Sequence, residues 1–281
     1  MNDSTVNVHT KKKRPRLIYM VTSSVSITFL RGQLSYMQAC GFQVYLATSP
    51  GADLDRAAEE EGIQTVEMPM EREIRPLKDL ASLIRLIRFF RSLRPDLVVA
   101  ATPKAALLGM TAAWLTRVPV RVYLQYGLRL ETAKGANRVV LNLAERMTSA
   151  CASRTLCISE SLRRQLLQLR LASPEKTFLV GSGSSHGLTA DRYAPSEALQ
   201  QRAEAIRSQL AIPADAKVVG FVGRLTRDKG IVELAHAFGQ LLSVSPDTWL
   251  LLVGDFENGD PIPQECVNEL KSHRRVSISG F

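Results

Sequence analysis

The stretch GFVGRLTRDKGIVEL, Gly220 to Leu234, sets the architecture. A short apolar run, Val218 to Val222, predicts a buried strand ending at Gly223-Arg224. A loop then carries Arg227, Asp228 and Lys229 to Gly230. From Ile231 the apolar residues recur at helical spacing: Ile231, Leu234, Ala235, Phe238, Leu241 and Leu242. Gly223 lets backbone approach a ligand closely, and the helix start offers free amides and a positive dipole end. Arg224 and Lys229 flank that opening, so an anion is the expected guest. A diphosphate fits best, because two cations around one mouth meet oxygens on both phosphoryl groups. A solvated surface loop is the bland alternative, and for Arg227 alone it is the better one.

Working outward, strands and helices alternate along the whole chain. Strands are expected at Leu17 to Val21, Phe42 to Ala47, Ile63 to Val66, Leu97 to Ala101, Val120 to Gln125, Thr155 to Ile158 and Thr177 to Val180. Helices are expected at Thr28 to Met37, Ala52 to Glu61, Leu77 to Leu93, from Thr102-Pro103-Lys104, Asn137 to Ala150, and from the Ser159 cap to Arg170. This rhythm indicates a parallel, doubly wound sheet, whose ligands gather at the carboxyl ends of strands. Thr22, Ser23 and Ser24 then lie on the functional rim, or simply precede a helix cap at Thr28. The loop GSGSSHG, Gly181 to Gly187, either admits a sugar or phosphate closely or serves as a flexible connector. Gln201 to Leu210 reads as a linking helix. Beyond Ile212-Pro213 a second domain opens with the quoted stretch and continues through strands at Trp249 to Val253 and Val276 to Ile278.

With 281 residues the chain can bury two cores. Of its net charge of +9, four units fall in the first sixteen residues, where Lys11, Lys12, Lys13, Arg14 and Arg16 face Asp3. Such a tail suits anionic lipid headgroups. In Leu77 to Leu93, Leu80, Leu83, Ile84, Ile87 and Phe90 are expected on the packed side, with Lys78, Arg85, Arg88 and Ser92 opposite and Arg91 and Arg94 flanking. That helix packs on the sheet, and its arginines can still reach a membrane surface. The four cysteines and four histidines show no metal-ligand spacing, so no cofactor or metal is expected. No secretory hydrophobic region follows the N-terminus, which predicts a cytoplasmic address. No nucleic-acid motif accompanies the basic tail, and the first strand lacks G-x-G-x-x-G, which argues against an NAD dehydrogenase.

The G-R-L-x-x-x-K-G spacing after a strand resembles the retaining glycosyltransferases of family 4. FLRGQL (residues 29–34), MEREIRPLKDL (70–80), GLRLETAKG (127–135), GSGSSHG (181–187) and GDFENGDPIP (254–263) resemble the branch that builds bacterial capsule and O-antigen polysaccharides. The resemblance implies the GT-B fold: two Rossmann-like doubly wound domains, here 17–195 and 214–281, after a basic tail (1–16) and joined by a linker helix (196–213). It implies a nucleotide-sugar donor, UDP-linked by the family's habit, held through Gly223, Arg224, Lys229, Gly254, Asp255, Glu257, Gly183 and Ser184. Arg224 and Lys229 are the catalytic candidates, stabilising the leaving diphosphate without a metal. The acceptor, a polyprenyl-diphosphate-linked saccharide at the inner face of the cytoplasmic membrane, would meet Ser23, Ser24, Arg129 and Glu131. Tyr126 stands where many members carry a histidine. The family's glutamate-containing donor segment has no counterpart here, so a C-terminally truncated and inactive chain is expected. A GT-B nucleotide-sugar epimerase and a non-catalytic membrane-bound remnant are the alternatives.

Overall fold

The computed structural model describes residues 14–51, 53–71, 73–128, 130, 133–184, 190–257 and 259–280. The chain divides into two compact units, Met1–Leu188 and Thr189–Phe281, so the helix read as a linker belongs to the second.

The first unit is a parallel sheet of β1 (Arg16–Met20), β2 (Gln43–Thr48), β3 (Gln64–Glu67), β4 (Leu97–Ala100), β5 (Val120–Gln125), β6 (Arg154–Cys157) and β7 (Thr177–Leu179). Their order is β3-β2-β1-β4-β5-β6-β7. Chain progression reverses between β1 and β4, where Tyr19 pairs with Val99 and Met20 with Ala100. A crevice opens beyond such a switch point in open α/β sheets. Alternation along β1 explains the two cores. Ile18 and Met20 face one layer with Leu86, Phe90 and Met110. Leu17, Tyr19 and Val21 face the other with Leu30, Leu34 and Leu54.

Among the described residues, six α-helices connect these strands: α1 (Gln33–Ala39), α2 (Asp53–Glu61), α3 (Pro76–Leu93), α4 (Pro103–Leu115), α5 (Gly135–Cys151) and α6 (Glu160–Gln168). Ser159 caps α6 as read, accepting from the Leu162 amide at 3.2 Å. Two expectations need correction. The helix read at Thr28 to Met37 is broken into a 3-10 turn, Ser24–Leu30, and α1, with Gly32 at φ +73° between them. In α3 the packed side is rotated from the expected one: Leu83, Ile87 and Phe90 pack as expected, but Leu80 and Ile84 do not. Ser82, Leu86 and Phe90 are buried, with Leu83, Ile87, Phe89 and Leu93 beside them, while Leu77, Leu80 and Ile84 are exposed. The helix is apolar over more of its circumference than one stripe, so periodicity alone picks no face. Each fully buried Leu or Phe contributes roughly 1.5–3 kcal/mol, and the sheet takes the pair that reaches deepest. Arg94, in the left-handed region, and Pro95 then stop the helix.

The second unit contains α7 (Glu197–Gln209), β8 (Lys217–Val222), α8 (Ile231–Val244), β9 (Thr248–Val253), α9 (Gln264–Ser272) and β10 (Val276–Ile278). The sheet order is β10-β9-β8, all parallel. Helices α8 and α9 close one core with Leu250 and Leu252, through Ile231, Ala235, Phe238, Cys266 and Leu270. The strand read as buried is not: β8 lies at the sheet edge among the described residues, and Val222 is 77 % exposed. An apolar run reports affinity for a sheet, not whether both of its sides are covered.

Candidate functional site

Each strand of the second sheet leaves through a glycine: Gly223 after β8, Gly254 after β9 and Gly280 beyond β10. All three have φ between +70° and +151°. The exits are laced together, with the Gly223 amide donating to Val253 O (2.9 Å) and the Gly254 amide to Gly280 O (3.1 Å). A Cβ on Gly254 would run into the carbonyl oxygen of Gly223. The Leu225 amide donates to Asp255 O at 2.9 Å, fixing the path of the next loop. Arg227–Lys229 then forms a 3-10 turn closed by Gly230 at φ +73°, and α8 begins at once. Asp260 anchors this turn from 32 residues away, its carboxylate accepting from the Asp228 amide (2.7 Å) and its carbonyl from the Arg227 amide (3.1 Å).

The two basic side chains converge. Arg224 Nη2 lies 3.3 Å and Lys229 Nζ 3.2 Å from the same oxygen, Oδ2 of Asp228. Arg224 Nη1 reaches Glu257 Oε2 at 3.1 Å. The other Asp228 oxygen accepts from the Thr226 hydroxyl at 2.5 Å, and Thr226 is fully buried. The Thr226 hydroxyl first, then Lys229 and Arg224, hold the Asp228 carboxyl below its ordinary range. Arg224, Lys229, Asp228 and Glu257 are all about half-exposed, so each pair is worth no more than about 1 kcal/mol and exchanges readily for a stronger anion. Of the expected donor residues, Gly223, Arg224, Lys229, Gly254 and Glu257 therefore meet in one place, and Asp255 joins through its backbone. Asp228, Thr226 and Asp260 were not read as site residues. Asp260 acts from 32 residues away and leaves no local spacing to find, whereas Asp228 and Thr226 stand in the quoted loop beside the two cations.

In the first unit the switch point is built from threonines. The Thr22 amide donates to Thr102 Oγ1 (2.8 Å), the two hydroxyls lie 2.6 Å apart, and the Thr22 hydroxyl accepts from the Ala105 amide at the start of α4 (3.2 Å). Lys104, nearly buried, bridges to Asp79 at 2.7 Å and donates to the Glu73 carbonyl. Of the expected acceptor residues, Ser23 is half-buried and Ser24 is buried against Gly51. Arg129 and Glu131 lie outside the described residues. Tyr126 packs toward the core of Tyr19 and Val21. Gly183 turns at φ +87° against the Ile158 carbonyl, with Ser184 exposed beside it.

A buried polar ring next to this edge had no sequence signal. Tyr123 Oη lies 2.9 Å from both Gln125 Oε1 and Glu145 Oε2, and Gln125 Nε2 donates to Glu145 Oε2 at 3.1 Å. The single phenol hydrogen is shared between its two acceptors, Gln125 Oε1 and Glu145 Oε2. Burial pushes the Glu145 carboxyl up, opposed by the Tyr123 and Gln125 hydrogen bonds. The other titratable group facing the ring is Cys157, whose thiol burial pushes up to about 11. A carboxyl raised in the folded state binds more protons there than when unfolded, so stability falls as pH rises through the folded value. Wild type should therefore lose stability relative to Glu145→Gln as pH climbs above the ordinary carboxylate range. Urea unfolding of both proteins from pH 5 to 8 checks this, and parallel curves would contradict it.

Comparison with known proteins adds independent findings. A Glycosyl transferase 4-like domain matches residues 27–183, more than half of the chain, and a Glycosyl transferases group 1 domain matches 202–274. The capsular polysaccharide biosynthesis glycosyltransferase CapM of Staphylococcus aureus is 34% identical over 253 residues, covering 90% of this chain and 64% of that protein. The Escherichia coli UDP-Gal:alpha-D-GlcNAc-diphosphoundecaprenol alpha-1,3-galactosyltransferase is 24% identical over 213 residues, 75% of this chain and 53% of its own length. This chain thus spans less than two thirds of either relative. Among solved structures, Anabaena HepE in complex with UDP and glucose superposes with a TM-score of 0.69 at 20% identity, over 94% of this chain and 69% of that one. A UDP-GlcNAc 2-epimerase from Neisseria meningitidis gives 0.65 at 14% identity, over 95% and 72%. At such identities these structures share the fold alone.

Proposed function

The chain belongs to the family 4 glycosyltransferases of GT-B fold, and from that premise we propose that it transfers a sugar from a UDP-linked donor to a lipid-linked saccharide. The product would enter capsule or related surface polysaccharide. The carrying observation is the convergence of Arg224 and Lys229 on one anionic point where the strands of a parallel sheet end. As the glycosidic bond breaks, negative charge builds on the leaving diphosphate, and fixed cations stabilise it where it forms. Arg224 and Lys229 carry this role, with Gly223 and Gly254 keeping side chains out of the ligand's way. Such a cation pair does the work of a divalent metal. Attack by the acceptor hydroxyl from the face that the diphosphate leaves would retain configuration, and its proton would pass to a leaving phosphate oxygen. The capsular and diphosphoundecaprenol-linked activities in the relatives' names support the substrate classes. The threonine crevice at the β1–β4 switch, with Ser23 and Lys104, is the proposed acceptor side.

The test is transfer of label from a panel of UDP-[14C]sugars into butanol-extractable lipid, using membranes that supply diphosphoundecaprenol-linked saccharide. Label in lipid supports transfer, whereas a free epimerised nucleotide sugar would support the epimerase reading.

No helix among the described residues is long and apolar enough to cross a membrane. Membrane contact is proposed through the outer side of α3, at the cytoplasmic face. There Leu77, Leu80 and Ile84 are exposed, with exposed Ile74 just before the helix, followed by exposed Arg85, Arg88 and Arg91. An apolar stripe beside cations suits an anionic interface. Leu77→Ser with Leu80→Ser and Arg88→Glu is expected to cut sedimentation with phosphatidylglycerol vesicles roughly tenfold or more, as two apolar anchors and a charge are lost. Equal sedimentation of the variant would remove α3 from the interface.

A further inference from the structure

Resting on the diphosphate reading above, we infer that Asp228 determines ligand class: its carboxylate occupies the point between Arg224 and Lys229 that a lone phosphoryl group would take. Ligands with a single phosphoryl group must evict it, while a diphosphate can engage the two cations from either side.

Three observations carry this. Both cations meet the same oxygen, Oδ2, at 3.3 and 3.2 Å, so the carboxylate sits at their shared focus. It is fastened there. The second oxygen is bonded at 2.5 Å to the hydroxyl of fully buried Thr226, and the Asp228 amide is held at 2.7 Å by Asp260. Arg224 also presents its other nitrogen, Nη1, to Glu257 Oε2 at 3.1 Å, so a different edge of the guanidinium already holds a second anionic oxygen, one that a second phosphoryl group can replace. A tethered carboxylate competes at an effective concentration in the millimolar range or above. A monophosphate seeking the same focus meets that competition in full. A diphosphate, long enough to lie across both cations, meets less of it. Discrimination then rests on a repulsive element as much as on an attractive one.

The test follows the amides of Gly223, Lys229 and Gly230 in 15N-labelled protein during titration with orthophosphate and pyrophosphate at fixed ionic strength. Wild type should prefer pyrophosphate. In Asp228→Asn, orthophosphate should bind roughly fivefold tighter or more, and the pyrophosphate-to-orthophosphate preference should shrink. The sign is diagnostic. A simple gain of positive field would favour the more highly charged pyrophosphate and widen the preference. Thr226→Val keeps the charge but frees the carboxylate, and it should shrink the preference by a smaller factor. It also decides the matter should Asp228→Asn fold poorly. A preference unchanged or widened in both variants overturns the inference while leaving the diphosphate reading intact. If neither anion shifts these amides in wild type, the diphosphate reading itself fails and this inference with it.

Discussion

Replacing Arg224 and Lys229 together by alanine is expected to lower sugar transfer by at least on the order of 10²–10³-fold, the loss typical of deleting even one preorganised charge stabiliser. The fall should appear in kcat more than in KM, because the charge they meet grows as the bond breaks. Stability should barely move. Both side chains are about half-exposed, and their partners Asp228 and Glu257 stay in contact with water when abandoned. Surface changes of this kind usually fall within about 0.5 kcal/mol. Transfer rates and melting temperatures, measured on the same preparations, separate a chemical role from a structural one. Undiminished transfer by the double variant would end the proposal.

Gly254→Ala should act in the opposite way, through the fold. Gly254 has φ +141°, and an added methyl would collide with the Gly223 carbonyl on the neighbouring strand exit. That neighbour is backbone, held by the hydrogen bond that the Gly223 amide donates to Val253 O, so it cannot swing aside as a side chain would. Backbone strain and overpacking together are expected to cost about 3 kcal/mol or more. The damage should stay in the second unit. The two tryptophans make this measurable, since Trp114 lies in α4 of the first unit and Trp249 in β9 of the second. In single-tryptophan versions, Gly254→Ala should lower the urea midpoint seen by Trp249 and leave that seen by Trp114 in place. A Trp249 midpoint equal to that of the parent would show that the strand exits can relax.

The two halves of the candidate site were unequally legible. Gly223, Arg224 and Lys229 lie within seven consecutive residues, and a strand, a glycine and a helix start place them before any packing is known. The threonine crevice was half seen. Thr22 was on the rim by position, but its partner Thr102 is 80 residues away and becomes a neighbour only when β1 pairs with β4. Ser24 looked equivalent to Ser23 and is buried, because the 3-10 turn points it at Gly51.

What the sequence by itself determined is the alternation of strands and helices, the parallel sheets, and the basic loop at the head of the second. Each follows from side-chain period and from glycine and proline placement, which act over a few residues. What only the tertiary structure decided is which side of α3 is buried, that β8 is an edge, and that Asp260 anchors the loop in which Asp228 meets the two cations. These depend on which surfaces come to face one another, and the free energy separating the choices lies in contacts between residues far apart in the chain.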